Sequence, residues 1–256
     1  MPLGCTVIRN IKRLAPFAKL NAGMPVRRRR LLLLAVAATA LRYAPPAHAQ
    51  QLPERLTSEL DPMVASEVLM AATRADALPD GYAPRDLVSA PANGIPASGG
   101  QLIRALIVGD TRSLVEAAAA ESLELYVGSG FRSQAYQTSV FTAQTARWGD
   151  EETANRYSAR AGHSQHQLGT TIDFTDSFRG FRGSPAALWL SENAHRFGFV
   201  LPYTPASSPL TGYVDEPWHA RWVGSGLATQ LQLRGYQAWT SWTADDAIAF
   251  ARAAIG

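Results

Sequence analysis

Two short polar segments, far apart in the chain, constrain this sequence more than anything else in it. They are Ser164-Gln-His-Gln-Leu-Gly-Thr-Thr-Ile-Asp173 and Glu216-Pro-Trp-His219. Together they hold two histidines and two carboxylates. A hydrolytic zinc site needs that inventory: three nitrogen or oxygen ligands, an open position for water, and a proton acceptor. A fold that uses it must bring distant segments to one point. The only cysteine, Cys5, lies near the start of the chain, so the body can form neither a disulfide nor a thiolate site. His, Asp and Glu are then the available ligands.

The first 49 residues read as a separate segment. They contain nine basic residues and no acid, which leaves 15 basic against all 21 acidic residues in the remainder, a net of −6. An acidic body argues against a nucleic-acid partner, which would select a basic face. Arg27 to Arg30 precede an apolar run, Leu31 to Leu41, and Ala47-His48-Ala49 has the small-x-small pattern of a cleavage site. This is the layout of a secretory signal peptide over residues 1–49, with export to the periplasm or cell envelope as the expectation. The run is much shorter than the roughly 20 residues of a spanning helix, so no stable membrane span is expected. Met24 offers an alternative start that would leave out residues 1–23, and the arginine run also admits twin-arginine export.

Beyond the leader, residues 50–98 form a lead-in. Pro62 opens a mildly amphipathic helical pattern through Val64, Val68, Leu69 and Ala72. Leu78 to Val88 is rich in turn formers, and Ser89 to Gly100 reads as loop. In the catalytic stretch, residues 99–256, the pattern predicts a helix over Gln101 to Ser122 with Gly109 weakening its middle. A strand follows over Leu123 to Val127, ended by Gly128 to Gly130. A helix is predicted over Gln134 to Trp148, and Asp150 is set to cap another through Tyr157. Arg160 to Gln167 reads as loop and Thr170 to Phe174 as strand. Ser184-Pro185 should open a helix that Gly198 ends. Phe199 to Leu201 reads as a short strand, Tyr203 to Gly212 as loop, and Tyr213-Val214 as a return to the sheet. Helical patterns close the chain at Leu227 to Leu233 and Asp245 to Ala254. Elements mixed in this way predict an α+β single domain, a mainly antiparallel sheet flanked by helices, with the zinc site at loop/strand junctions. A chain of 256 residues buries enough core to stand as a monomer.

His166, Asp173 and His219 would supply two imidazoles and one carboxylate. Glu216, three residues before His219, is the natural proton acceptor, and Pro217 fixes a turn that holds both near one point. Composition alone does not single out this set. His163, Asp176 and Asp215 lie close by, and Asp173 could instead pair with an arginine while Trp218 packs in the core. His195 reads as a helix-surface residue.

Ser164-x-His166-x-x-Gly169-x-x-x-Asp173 followed by Glu216-Pro-Trp-His219-x-Arg221 resembles the signature of the VanY-type zinc D-alanyl-D-alanine carboxypeptidases. These stand within the LAS-type metallopeptidases that also include D,D-dipeptidases. Leu78 to Leu87, Ser129-Gly-Phe-Arg132-Ser with Gln137, and Trp189-Leu-x-x-Asn193-Ala-His-Arg-Phe-Gly198-Phe fit the same family, in the same order over roughly residues 78–250. The resemblance implies zinc ligands His166, Asp173 and His219, with Glu216 as catalytic base. It implies that Arg132 stabilises the oxyanion and that Gln137 and Ser164 line the substrate site, with Trp218 as a pocket wall. The implied partners are peptidoglycan stem peptides, cleaved at a terminal D-alanine. An L,D-carboxypeptidase, a D,D-dipeptidase, a peptidoglycan endopeptidase or a non-catalytic cell-wall module are the alternatives. Departures fall at Gln165, where the family often has an acid, and at Thr171, where it has alanine; neither is expected to touch the chemistry. The family also tends to carry an arginine in the run where Leu201-Pro202 stands, which leaves substrate preference open.

Overall fold

The computed structural model describes residues 67–176 and 180–234. The leader at 1–49, the Pro62 helix start and the Asp245 to Ala254 pattern lie outside the described residues. Among the described residues no helix is long and apolar enough to cross a membrane.

A four-stranded antiparallel sheet forms the centre. It contains β3 (Tyr126–Ser129), β4 (Thr171–Thr175), β5 (Phe199–Val200) and β6 (His219–Trp222), in the order β3-β4-β6-β5. A second antiparallel pair joins β1 (Leu87–Ser89) to β2 (Leu102–Arg104). The helices are α1 (Val108–Ala120), α2 (Gln134–Trp148), α3 (Glu151–Ala154), α4 (Pro185–Asn193), α5 (Ser208–Thr211) and α6 (Ser225–Arg234). The expected α+β class with an antiparallel sheet is what the chain adopts.

Local chemistry explains most of the boundaries. The Ser133 hydroxyl accepts from the Tyr136 N–H and starts α2, and the Asp150 carboxylate does the same for Thr153 at the start of α3. Ser184 accepts from the Ala187 N–H ahead of Pro185, and α4 gives way at Asn193 to a 3-10 turn, Ala194–Phe197, before Gly198. On α1 the buried residues Thr111, Leu114, Val115 and Ala118 recur at helical spacing and face the core.

Four expectations are corrected. The helix over Gln101 to Ser122 begins only at Val108, because Leu102 to Arg104 pairs with β1 and Ala105–Ile107 is a 3-10 turn. Gly109 therefore sits in the first turn, where a weak helix former costs little. The β3 strand extends past Val127 through Gly128 to Ser129, across a bulge. A side chain at Gly128 would meet Thr175 Cγ2 at 3.0 Å and the Asp173 carbonyl at 3.2 Å, so its glycine belongs to the close strand pairing. The turn-rich stretch ending at Val88 contributes β1. Tyr213-Val214 does not re-enter the sheet: Tyr213 packs on Tyr203 at 4.9 Å, and the returning strand is His219–Trp222.

The main core gathers Ile103, Ile107, Leu114, Val127, Ile172, Phe174, Phe197, Phe199 and Trp222, with Val68, Leu69, Ala90 and Ile95 from the residues before 99. Trp222 Nε1 donates to the Asp110 carboxylate at 2.9 Å, so the largest buried ring also has its polar atom satisfied.

Candidate metal centre

Strand β4 alternates, with Ile172 and Phe174 turned into the core and Asp173 to the opposite face. Antiparallel pairing sets Asp173 directly across from His219 and Thr171 across from Arg221. His219 follows a tight turn in which its N–H donates to the Glu216 carbonyl at 3.1 Å, with Pro217 at the second position. Glu216 is thereby held beside the strand start, its Oε2 at 3.6 Å from His219 Nδ1.

His166 arrives on a 3-10 turn, Gln165–Leu168, capped by the Ser164 hydroxyl, which accepts from the His166 N–H at 3.3 Å. Gly169 ends the turn at φ 69, and a Cβ there would meet Arg104 Cγ and Leu87 Cδ2 at 3.0 Å. The glycine in the motif is thus required twice over, by conformation and by space. His166 is laced to the end of β3 at two points: its Nδ1 meets the Gly130 carbonyl at 2.8 Å, and its own carbonyl accepts from the Arg132 N–H at 3.2 Å. The same lacing aims Arg132. Its guanidinium donates to Asp173 Oδ2 at 2.9 Å, to Gln137 Oε1 at 3.1 Å and to Ser129 Oγ at 3.2 Å.

The three candidate ligands converge. One donor atom from each of His166, Asp173 and His219 lies within 4.8 Å of the others. His166 Nε2 and His219 Nδ1 are each 3.1 Å from Asp173 Oδ1. The outer nitrogens are already engaged: a backbone carbonyl only accepts, so His166 Nδ1 carries the proton, and His219 Nε2 faces Gln165 Oε1 at 3.0 Å. Burial, reinforced for His166 by the Arg132 charge, lowers both imidazoles, His166 to about 4. His166 therefore turns a bare Nε2 inward, and with Gln165 Oε1 facing its Nε2, His219 likewise turns a bare Nδ1 inward. Burial by itself would raise the Asp173 carboxyl, but the two histidines outweigh it and hold it well below the usual carboxylate range. Two bare nitrogens and a carboxylate oxygen turned toward one another repel unless a cation sits among them. The donor set fits zinc.

Glu216 is in the opposite condition. Burial, and next the negative charge of Asp173, push its carboxyl up to about 8, against the pull of Arg132 and Arg182. A carboxyl poised near neutrality can take and return a proton.

These residues open onto a cleft of about 220 Å³ whose lining includes Ser164, Trp218, Tyr157, Tyr203 and Tyr213. Trp218 is half-buried with the Arg182 guanidinium 5.3 Å from its ring centre. Gln137 stands elsewhere. It is fully buried behind Arg132, and its amide nitrogen donates to Ala159 O at 2.7 Å and Ser158 Oγ at 3.1 Å. It positions the guanidinium rather than lining the cleft. The competing ligand candidates also sit apart: His163 Nδ1 meets the Thr73 carbonyl at 2.8 Å, Asp215 pairs with Arg182, and Asp176 is buried outside the donor group.

Sequence reasoning missed three residues of the site. Tyr203 packs against the His219 ring at 4.7 Å and, with Tyr213, walls the cleft; Tyr203 comes from a stretch that reads only as loop, and Tyr213 from one that reads as a strand. Gln165, expected to stand clear of the chemistry, touches a candidate ligand directly.

Two imidazoles and a carboxylate, gathered from a 3-10 turn and two paired strands beside a partly buried glutamate, form a donor set of the kind that mononuclear metal hydrolases use. Residues 100–225 match the family model described as VanY, D-alanyl-D-alanine carboxypeptidase, and this stretch is identified as a domain of that family. A D-alanyl-D-alanine carboxypeptidase of Enterococcus faecalis is 32% identical over 146 residues, covering 54% of this chain and 54% of the relative. The chain spans about half the length of the curated relatives it matches. Among solved structures, a mutant of the D,D-pentapeptidase VanY from a VanB-type resistance cassette, in complex with Zn(II), is 28% identical with a TM-score of 0.58. That match covers 66% of this chain and 95% of the other. The LD-carboxypeptidase LdcB is 27% identical with a TM-score of 0.61, over 69% of this chain and 85% of its own.

Proposed function

We propose that this protein is a zinc D,D-carboxypeptidase that removes the terminal D-alanine from peptidoglycan stem peptides. The observation that carries the reading is the meeting of His166, Asp173 and His219 beside Glu216 and Arg132 at the wall of one cleft. His166 and Asp173 with His219 would hold the metal. When bound, zinc supplies Lewis acidity that acidifies water and polarises a carbonyl. Glu216 accepts the proton of the attacking water and delivers it to the leaving amine of D-alanine. Arg132, fixed by Gln137 and Ser129, offers its positive charge where the substrate carbonyl becomes negative. Ser164 and Trp218 line the substrate side.

The proposal extends to the rest of the chain. Residues 99–256 act as the catalytic domain behind a lead-in at 50–98, and 1–49 exports a monomer to the periplasm or cell envelope, where its substrate lies. The test is release of free D-alanine from a defined pentapeptide, followed by mass. Glu216→Ala should abolish release and keep zinc; near-normal turnover overturns the assignment. A tetrapeptide run alongside tests the L,D reading, which the likeness to LdcB favours as the second choice.

A further inference from the structure

The two histidines of the site are oriented by unlike means. His166 is held by main chain, the Gly130 carbonyl at 2.8 Å, and Gly130 is itself fixed by its N–H to Gln101 Oε1 at 3.0 Å. His219 is held by a side chain, Gln165 Oε1 at 3.0 Å from Nε2. Gln165 is 1% exposed, and its amide nitrogen finds no hydrogen-bond partner. An unpaired buried donor is destabilising, because it has given up its hydrogen bonds to water and gained none in return. An aliphatic side chain of similar size would avoid that cost, so stability alone does not explain an amide at this place.

We propose that Gln165 is the positioning residue that makes His219 a metal ligand, and that it does so conditionally. With Oε1 toward the ring, His219 carries its proton on Nε2 and turns a bare Nδ1 to Asp173 and His166. With the amide reversed, the NH₂ donates to Nε2, the ring proton moves to Nδ1, and that N–H points at Asp173 Oδ1, 3.1 Å away. The second arrangement cannot ligate. Either orientation leaves one amide group unpaired in the protein, so the amide does not hold one orientation as a backbone carbonyl does at His166. Zinc selects the first orientation, and the fraction of the other is a tax on apparent affinity. This inference rests on the site being a metal centre.

The experiment measures zinc affinity by chelator competition on the whole chain, with the melting temperature of the metal-free protein as the folding control. Gln165→Leu should weaken zinc by about 10–100-fold, the usual size of a lost ligand-orienting contact, while the metal-free protein melts at or above the wild-type temperature. Gln165→Glu offers only acceptors and should hold zinc at least as tightly as wild type. Long-range proton–nitrogen spectra of the His219 ring should show the Nε2–H form alone in zinc-loaded wild type and in Gln165→Glu. They should show both tautomers in metal-free wild type. Zinc affinity of the leucine variant within about two-fold of wild type, or of the glutamate variant clearly below it, overturns the proposal. A single tautomer in the metal-free wild type overturns its conditional part. Wild-type protein that takes up no zinc fails earlier and refutes the metal centre itself.

Discussion

The β4–β6 strand pair has two faces that are almost equally buried and do opposite things. One carries Ile172, Phe174, Ala220 and Trp222, none more than 2% exposed, and joins the main core. The other carries Thr171, Asp173, His219 and Arg221; Arg221 is 1% exposed and His219 4%. The apolar face needs only shape and the exclusion of water. The charged and imidazole groups on the polar face take partners from elsewhere. Arg221, its guanidinium lowered to about 9 by burial, donates to the Val68 and Met70 carbonyls at 3.0 and 2.7 Å. Asp173 takes Arg132, and His219 takes Gln165. One face stabilises the fold, and the other spends part of that stability to hold a reactive site.

The largest effect expected from breaking this division falls on the polar face. His166→Ala should abolish both zinc uptake and D-alanine release while the melting temperature of the metal-free protein changes little. Metal analysis of the purified variant decides it; full zinc content would remove His166 from the ligand set. On the apolar face, Phe174→Ala should cost about 3–5 kcal/mol in denaturant unfolding, yet the folded fraction should still bind zinc and turn over. If turnover per folded molecule collapsed as well, the faces would not be separable.

The two faces were also unequally legible. In β4 the alternation Thr-Ile-Asp-Phe-Thr announces both faces at once, and the caps at Ser133, Asp150 and Ser184 mark helix starts through local chemistry alone. The β6 strand is four residues of His-Ala-Arg-Trp behind a proline turn, too short for its period to stand out. Its existence depends on pairing with β4 and β5, which is information the segment does not hold. The same is true of the three-residue strands β1 and β2. Ligand chemistry narrows the candidates to His, Asp and Glu, and the family signature picks out His166, Asp173, His219 and Glu216 among them. Gln165 was not legible, and Gln137 reads as lining the substrate site rather than meeting Arg132, because an amide that orients a neighbour has no signal until that neighbour arrives from a distant segment.

Arg132 sharpens the comparison, since it serves the polar face without belonging to it. Arg132→Ala should lower kcat by about 10²–10³, the usual cost of an oxyanion donor, with zinc content kept. Loss of zinc together with activity would instead mean that its work is to hold Asp173 in place.

The smallest effect isolates the cost of the polar face in the metal-free protein. Glu216 has its folded carboxyl raised to about 8 from an ordinary 4.5. Its contribution to stability is therefore fully present below pH 4.5 and is lost as pH rises through about 8. His166 acts in the opposite sense: lowered to about 4 from 6.5, it contributes above pH 6.5 and is lost as pH falls through about 4. A single melting curve against pH mixes the two. Glu216→Gln separates them, because the amide keeps the shape and cannot ionise, whereas His166 is common to both proteins and cancels in the difference. With chelator present, the variant's advantage in melting temperature over wild type should grow between pH 4.5 and 8 and then level off. A difference that stays flat with pH would mean that Glu216 ionises in the fold as it does in water, and that this carboxyl imposes no cost on the face that carries the site.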